Sequence, residues 1–126
     1  MRIGVISDTH DHQRNVFRAI ELFNERGVQC VFHAGDIVSP ATAQAFSQLR
    51  AEQFIAVFGN CDTARGSLCA AIEAFGGEVH PSCFEGVVGK RRIHMVHRDY
   101  TVDEVLTMKR QEIAHLAQKQ LQELLD

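Results

Sequence analysis

Four short stretches of this chain combine oxygen and nitrogen donors at spacings suited to divalent cations: Asp8-Thr9-His10, Gly35-Asp36, Gly59-Asn60-Cys61-Asp62 and His97. Each follows an apolar run. Asp8 and His10 come after Ile3-Gly4-Val5-Ile6, Asp36 after Cys30-Val31-Phe32, Asn60 after Phe54-Ile55-Ala56-Val57-Phe58, and His97 after Ile93-His94-Met95-Val96. A carboxylate and an imidazole two residues apart in a loop can grip one cation, and Asp36 can bridge two cations through its separate oxygens. Asn60 adds a neutral carbonyl oxygen. Such mixed N/O donors suit manganese, iron or zinc, and the absence of thiolate from the set argues against a structural zinc site.

Gathering these residues requires strands that end side by side. Residues 2–7, 29–33 and 53–58 are apolar and rich in β-branched side chains, while 15–26, 40–50 and 64–75 carry a helical period. This βαβαβα alternation predicts an α/β fold with a mainly parallel sheet covered by helices, whose ligands collect beyond the carboxyl ends of the strands. The first helix is expected to bury Val16, Phe17, Ile20, Leu22 and Phe23 and to stop at Gly27. Ser39 is the expected cap of the second, with Pro40 in its first turn.

After Gly76-Gly77 the pattern changes. Residues 78–85 and 91–97 predict an antiparallel hairpin joined across 86–90. Residues 101–126 space Val102, Val105, Leu106, Ile113, Leu116, Leu121, Leu124 and Leu125 among polar side chains, which predicts one long amphipathic C-terminal helix or two shorter ones. That stripe serves either as core or as a partner face, and self-association through the C-terminal third is the expectation taken forward. The 126 residues are expected to form a single domain.

Composition narrows the function classes. A hydrophobic content of 45% fits a globular chain, and a net charge of −3 gives no electrostatic footprint for nucleic acid. The basic cluster Lys90-Arg91-Arg92 is too short to change this and fits a solvated hairpin turn. No apolar run approaches the roughly 20 residues that span a bilayer, and the N-terminus lacks the three-part pattern of a secretion signal. A cytoplasmic location is expected, with Cys30, Cys61, Cys69 and Cys83 as reduced thiols in no Cys-x-x-Cys spacing.

In order and spacing, Ser7-Asp8-Thr9-His10, His33-Ala34-Gly35-Asp36, Gly59-Asn60-Cys61-Asp62 and His97 resemble the motifs of the calcineurin-like metallophosphoesterases. The Gly-Asn-Cys-Asp form points to the family's small bacterial and archaeal phosphodiesterase branch. The likeness covers about residues 1–97 and leaves 101–126 as a divergent helical tail. It implies a two-metal site with Asp8 and His10 on the first ion, Asp36 as bridge, and Asn60 and His97 on the second. It also implies manganese as the metal, with zinc, iron or nickel as alternatives, and a small phosphoester, in particular a phosphodiester, as substrate. Two ions about 3.5–4 Å apart would hold a hydroxide between them for in-line attack. Asn60 would also touch the substrate phosphate, and either Asp62 or solvent would protonate the leaving group.

Two departures from the family pattern stand out. The family's Gly-His-x-His motif, which gives one imidazole to each metal, has no counterpart after His97; the later His115 lies in a helical context. His97 is followed by Arg98 where the family has glycine. The sequence therefore predicts a family domain that stops early, with an incomplete second sheet and water completing the metal coordination. Its rivals are an inactive binding or scaffold module, in the manner of the retromer scaffold subunit, and a truncated remnant. Cys61 fits packing or metal shielding better than nucleophilic attack.

Overall fold

The computed structural model describes residues 1–97. Its elements run β1 (Ile3–Ile6), α1 (Gln13–Glu25), β2 (Cys30–His33), α2 (Pro40–Ala45) with a 3-10 turn at Phe46–Gln48, β3 (Gln53–Val57), α3 (Arg65–Ala74), β4 (Glu78–His80), β5 (Cys83–Val88) and β6 (Arg91–Val96). Strands β1-β2-β3-β4 form one parallel sheet in sequence order, and β5-β6 form an antiparallel pair. The α/β class and the alternation expected from the sequence hold. The predicted C-terminal helix, its self-association face, Arg98 and His115 lie outside the described residues. No helix among the described residues is long and apolar enough to cross a membrane.

Period-two alternation explains the layering. Along β2 and β3, Val31, Phe54 and Ala56 face a core built with Val16 and Ile20 of α1, Phe46, and Leu68 and Ile72 of α3. Their neighbours Cys30, Phe32, Ile55 and Val57 face the hairpin side chains Phe84, Val88 and Met95. Strands covered on both faces read as near-continuous apolar runs, which is why β2 and β3 are legible as buried parallel strands. Cys30 lies in the second core, and burial pushes its thiol up to about 11.

Several local expectations hold at the level of atoms. The Ser39 Oγ accepts the backbone N–H of Thr42 at 3.3 Å, capping α2, with Pro40 at its start. Helix α1 closes with Val28 N–H donating to the Phe23 carbonyl and Gly27 N–H to that of Asn24, the paired bonds of a glycine-terminated helix.

Three expectations need correction. Phe17 is 42% exposed, because the buried stripe of α1 is Val16, Ile20 and the packed Phe23; Phe17 is rotated about 100° from it. The run 78–85 is two strands, since Pro81, which has no N–H to give a ladder, separates β4 on the parallel sheet from β5 in the hairpin. The hairpin register, Val88 opposite Arg91, leaves only Gly89 and Lys90 in the turn, so Gly86 to Val88 are strand rather than loop. Lys90 and Arg91 are solvent-exposed, as expected of that turn.

Candidate metal centre

The loops after β1 and β2 are zipped together by main-chain bonds. Asp8 N–H donates to the Gly35 carbonyl and His10 N–H to that of Asp36, both at 2.9 Å. This seam puts Asp8 (φ 55°), His10 (φ 47°) and Asp36 (φ 63°) on left-handed backbone. Non-glycine residues hold that conformation at a cost on the order of 1 kcal/mol each, and such strain concentrates at functional sites. All three are ligands predicted from sequence.

Asp36 is the hub. It is 3% exposed, and its Oδ1 accepts the Cys61 N–H at 2.8 Å. Its Oδ2 lies 3.6 Å from His10 Nε2 and 3.4 Å from His97 Nε2, with one imidazole on each side of a single carboxylate. Two glycines make this approach feasible. A Cβ on Gly59 would overlap the Asp36 carboxylate, and one on Gly35 (φ 109°) would come within 2.7 Å of the His97 side chain.

His97 closes the site from the hairpin. Its Nδ1–H donates to the Ala34 carbonyl at 2.8 Å, which turns Nε2 toward the cleft. Facing that nitrogen are the Asn60 Oδ1 at 2.9 Å and the Asp36 Oδ2 at 3.4 Å. An imidazole nitrogen, an amide oxygen and a carboxylate oxygen thus converge on one point of the cleft. Two donors each about 2.1 Å from one ion stand roughly 3.0 to 3.4 Å apart, which these separations match. The donor set therefore fits a divalent metal.

Among the described residues, two groups of metal-competent side chains form with ligand atoms within 4.8 Å of one another: Asp8, Asp36 and His97, and His10, Asp36 and Cys61. Asp36 belongs to both. Asp8 falls with His97, although the resemblance assigns it to the same ion as His10. All five expected metal residues line one open cleft of about 600 Å³ with Ser7, Ala34, Cys61 and Val96. Asp8 is held below the usual carboxylate range first by the Ser7 hydroxyl, which donates at 2.6 Å, and then by the His97 ring. Desolvation first, and the Asp36 carboxylate second, raise the Cys61 thiol, so without metal it is a poor nucleophile at neutral pH.

Asp62 has a different place from the one expected. It is 1% exposed and does not line the cleft. Its Oδ2 accepts the N–H groups of Asp36 (2.7 Å) and Gly59 (2.8 Å), and its Oδ1 that of Val38 (2.7 Å). With both oxygens taken by backbone donors and the side chain away from the cleft, Asp62 is not placed to reach a leaving group. It instead ties the β2 loop to the β3 loop, and it holds Val38, a β-branched residue at φ 86°.

Below the cleft, His33 is fully buried against the edge of Phe46. Gly35 N–H donates to its Nδ1, which leaves the ring proton on Nε2 to donate to the Thr9 hydroxyl at 2.9 Å. Desolvation lowers its pKa to about 4, so it is a neutral strut between two loops. His80 and His94, which carry no motif, pair instead with Glu78 and Glu85 on the outer strands.

The fold has counterparts in known proteins. A phosphodiesterase of Methanocaldococcus jannaschii, MJ0936, is 47% identical over 68 residues, covering 54% of this chain and 40% of that protein. The solved structure of an archaeal phosphodiesterase matches with a TM-score of 0.77 and 32% identity, over 86% of this chain and 65% of that one. Yfce, a phosphoesterase from E. coli, shares the fold at a TM-score of 0.58 and 24% identity, over 79% of this chain and 58% of its own. The chain thus spans less than two thirds of each relative. The model of the calcineurin-like phosphoesterase superfamily domain matches residues 1–123. With that match over nearly its whole length, and the motifs gathered around Asp36, this chain belongs to the calcineurin-like phosphoesterase superfamily.

Proposed function

We propose that the chain is a metal-dependent phosphodiesterase whose site holds two divalent cations on either side of Asp36. The observation that carries this reading is the position of Asp36 Oδ2 between the His10 and His97 imidazoles, at 3.6 and 3.4 Å. The relatives named as phosphodiesterases support the substrate class. When bound, such cations supply Lewis acidity and bring a water's pKa toward neutrality. Manganese is the first choice of metal, with zinc, iron and nickel as alternatives.

The chain's own residues have separable tasks in this reading. Asp8, His10, Asp36, Asn60 and His97 hold the ions, and Asn60 also offers its amide to a substrate phosphate. Asp62 is a positioning residue for Asp36, which leaves protonation of the departing alkoxide to solvent. Water and substrate take the coordination positions that these five residues leave open.

The test is hydrolysis of a chromogenic phosphodiester by the purified chain with added manganese, beside Asp36→Asn. Turnover that needs both the metal and Asp36 supports the enzyme. Folded protein that binds manganese through Asp36 without turnover favours a binding module on the same fold.

A further inference from the structure

The sequence places Cys61 beside the ligands, but the structure places its sulfur among them. The Cys61 thiol, the His10 imidazole and an Asp36 carboxylate oxygen lie within 4.8 Å of one another. The other group, Asp8 with Asp36 and His97, shares only Asp36 with this one. The donors therefore divide about one carboxylate, and the sulfur falls on the His10 side. Cys61 is also fixed in place: its N–H is bonded to Asp36 Oδ1 at 2.8 Å, and the Asn60 amide donates to its sulfur at 3.6 Å. Its side chain lines the cleft, open to an arriving ion.

We propose that Cys61 is a sulfur ligand to the cation held by His10 and Asp36, giving that position an N, O, S donor set selective for a thiophilic divalent metal. This inference rests on the metal-centre reading above. On binding, one sulfur–metal bond forms, one water leaves the ion, and the thiol proton passes to solvent. Soft sulfur favours zinc, iron(II), cobalt or cadmium over manganese and magnesium. The Asp8, Asn60 and His97 side offers only oxygen and nitrogen, so the two positions differ in kind and manganese belongs on that side. Two unlike metals, rather than a matched pair, is the loaded state this predicts.

Cobalt(II) titration of the metal-free chain, followed by absorption, tests it in the unaltered protein, Cys61→Ser and Asp36→Asn. In the unaltered chain an intense near-ultraviolet thiolate-to-cobalt band should grow with the visible ligand-field bands. Cys61→Ser should lose the near-ultraviolet band and keep the visible bands. Visible bands alone in the unaltered chain, or a charge-transfer band that survives Cys61→Ser, would overturn the sulfur ligand and leave the metal centre standing. No cobalt uptake, with Asp36→Asn indistinguishable from the unaltered chain, would overturn both.

Discussion

The Asp62 carboxylate accepts the backbone N–H of Asp36 at 2.7 Å, joining two loops 26 residues apart in sequence. The same side chain takes the N–H groups of Val38 and Gly59, so one buried group sets the spacing between the Asp36 carboxylate and the Asn60 loop. Asp62→Ala would leave three donors without their acceptor. An unsatisfied buried group costs about 1–3 kcal/mol, so the variant should lose roughly 3 kcal/mol or more. Urea denaturation measures this, and a loss below about 1 kcal/mol would show that the loops hold together without the tie.

Asp36 and His97 should separate in metal titration calorimetry. Asp36→Asn keeps the shape and removes the charge shared by both groups, so both binding events should weaken together, by roughly 10- to 100-fold or more. His97→Ala should weaken mainly one. Equal and negligible effects of the two substitutions would count against a bridging role for Asp36.

Gly59 and Gly66 offer a matched comparison. Alanine at Gly59 would drive a methyl group into the Asp36 carboxylate, whereas Gly66, in α3, has nothing within 4 Å of the same added atom. Gly59→Ala should therefore cost metal affinity, while Gly66→Ala should raise stability by about 0.5–1 kcal/mol through helix propensity. Thermal melts with and without manganese distinguish them. Equal metal affinity in Gly59→Ala and the unaltered chain would show that the loop yields.

His33 sets a pH limit on the fold. Its pKa falls from 6.5 to about 4 on folding, so between these values the unfolded chain binds more protons and stability falls as pH drops. Above pH 6.5 this contribution is complete. The slope should approach about 1.4 kcal/mol per pH unit and should be absent in His33→Gln. Denaturant titrations from pH 4.5 to 7.5 would reveal it, and the same slope in the variant would assign it to other groups.

Where sequence foretold structure, the cause was local. The strand ends, the Ser39 cap and the stop at Gly27 each follow from a few adjacent residues. The features it missed depend on contacts across the fold. Asp62 stands two residues from Asn60 in sequence, and only the folded path of the β2 loop draws its carboxylate inward. Cys61 joins His10 because the loops after β1 and β3 converge on Asp36, which no spacing along the chain records. Pro81 was a readable signal for the break between β4 and β5, since a proline inside a paired run demotes it.

The left-handed backbone at Asp8, His10 and Asp36 has an evolutionary consequence. Each position is constrained twice, by donor chemistry and by a conformation that Asn, Asp, His and Gly tolerate far better than branched or bulky side chains. A lineage that abandoned metal binding would be released from the first constraint only. Its neutral drift would run toward Asn and Gly at these positions, rather than toward Val or Ile, and would leave a lasting trace of the lost ligands. Asp, His and Asp at all three positions are what a lineage still selected for the donors would retain.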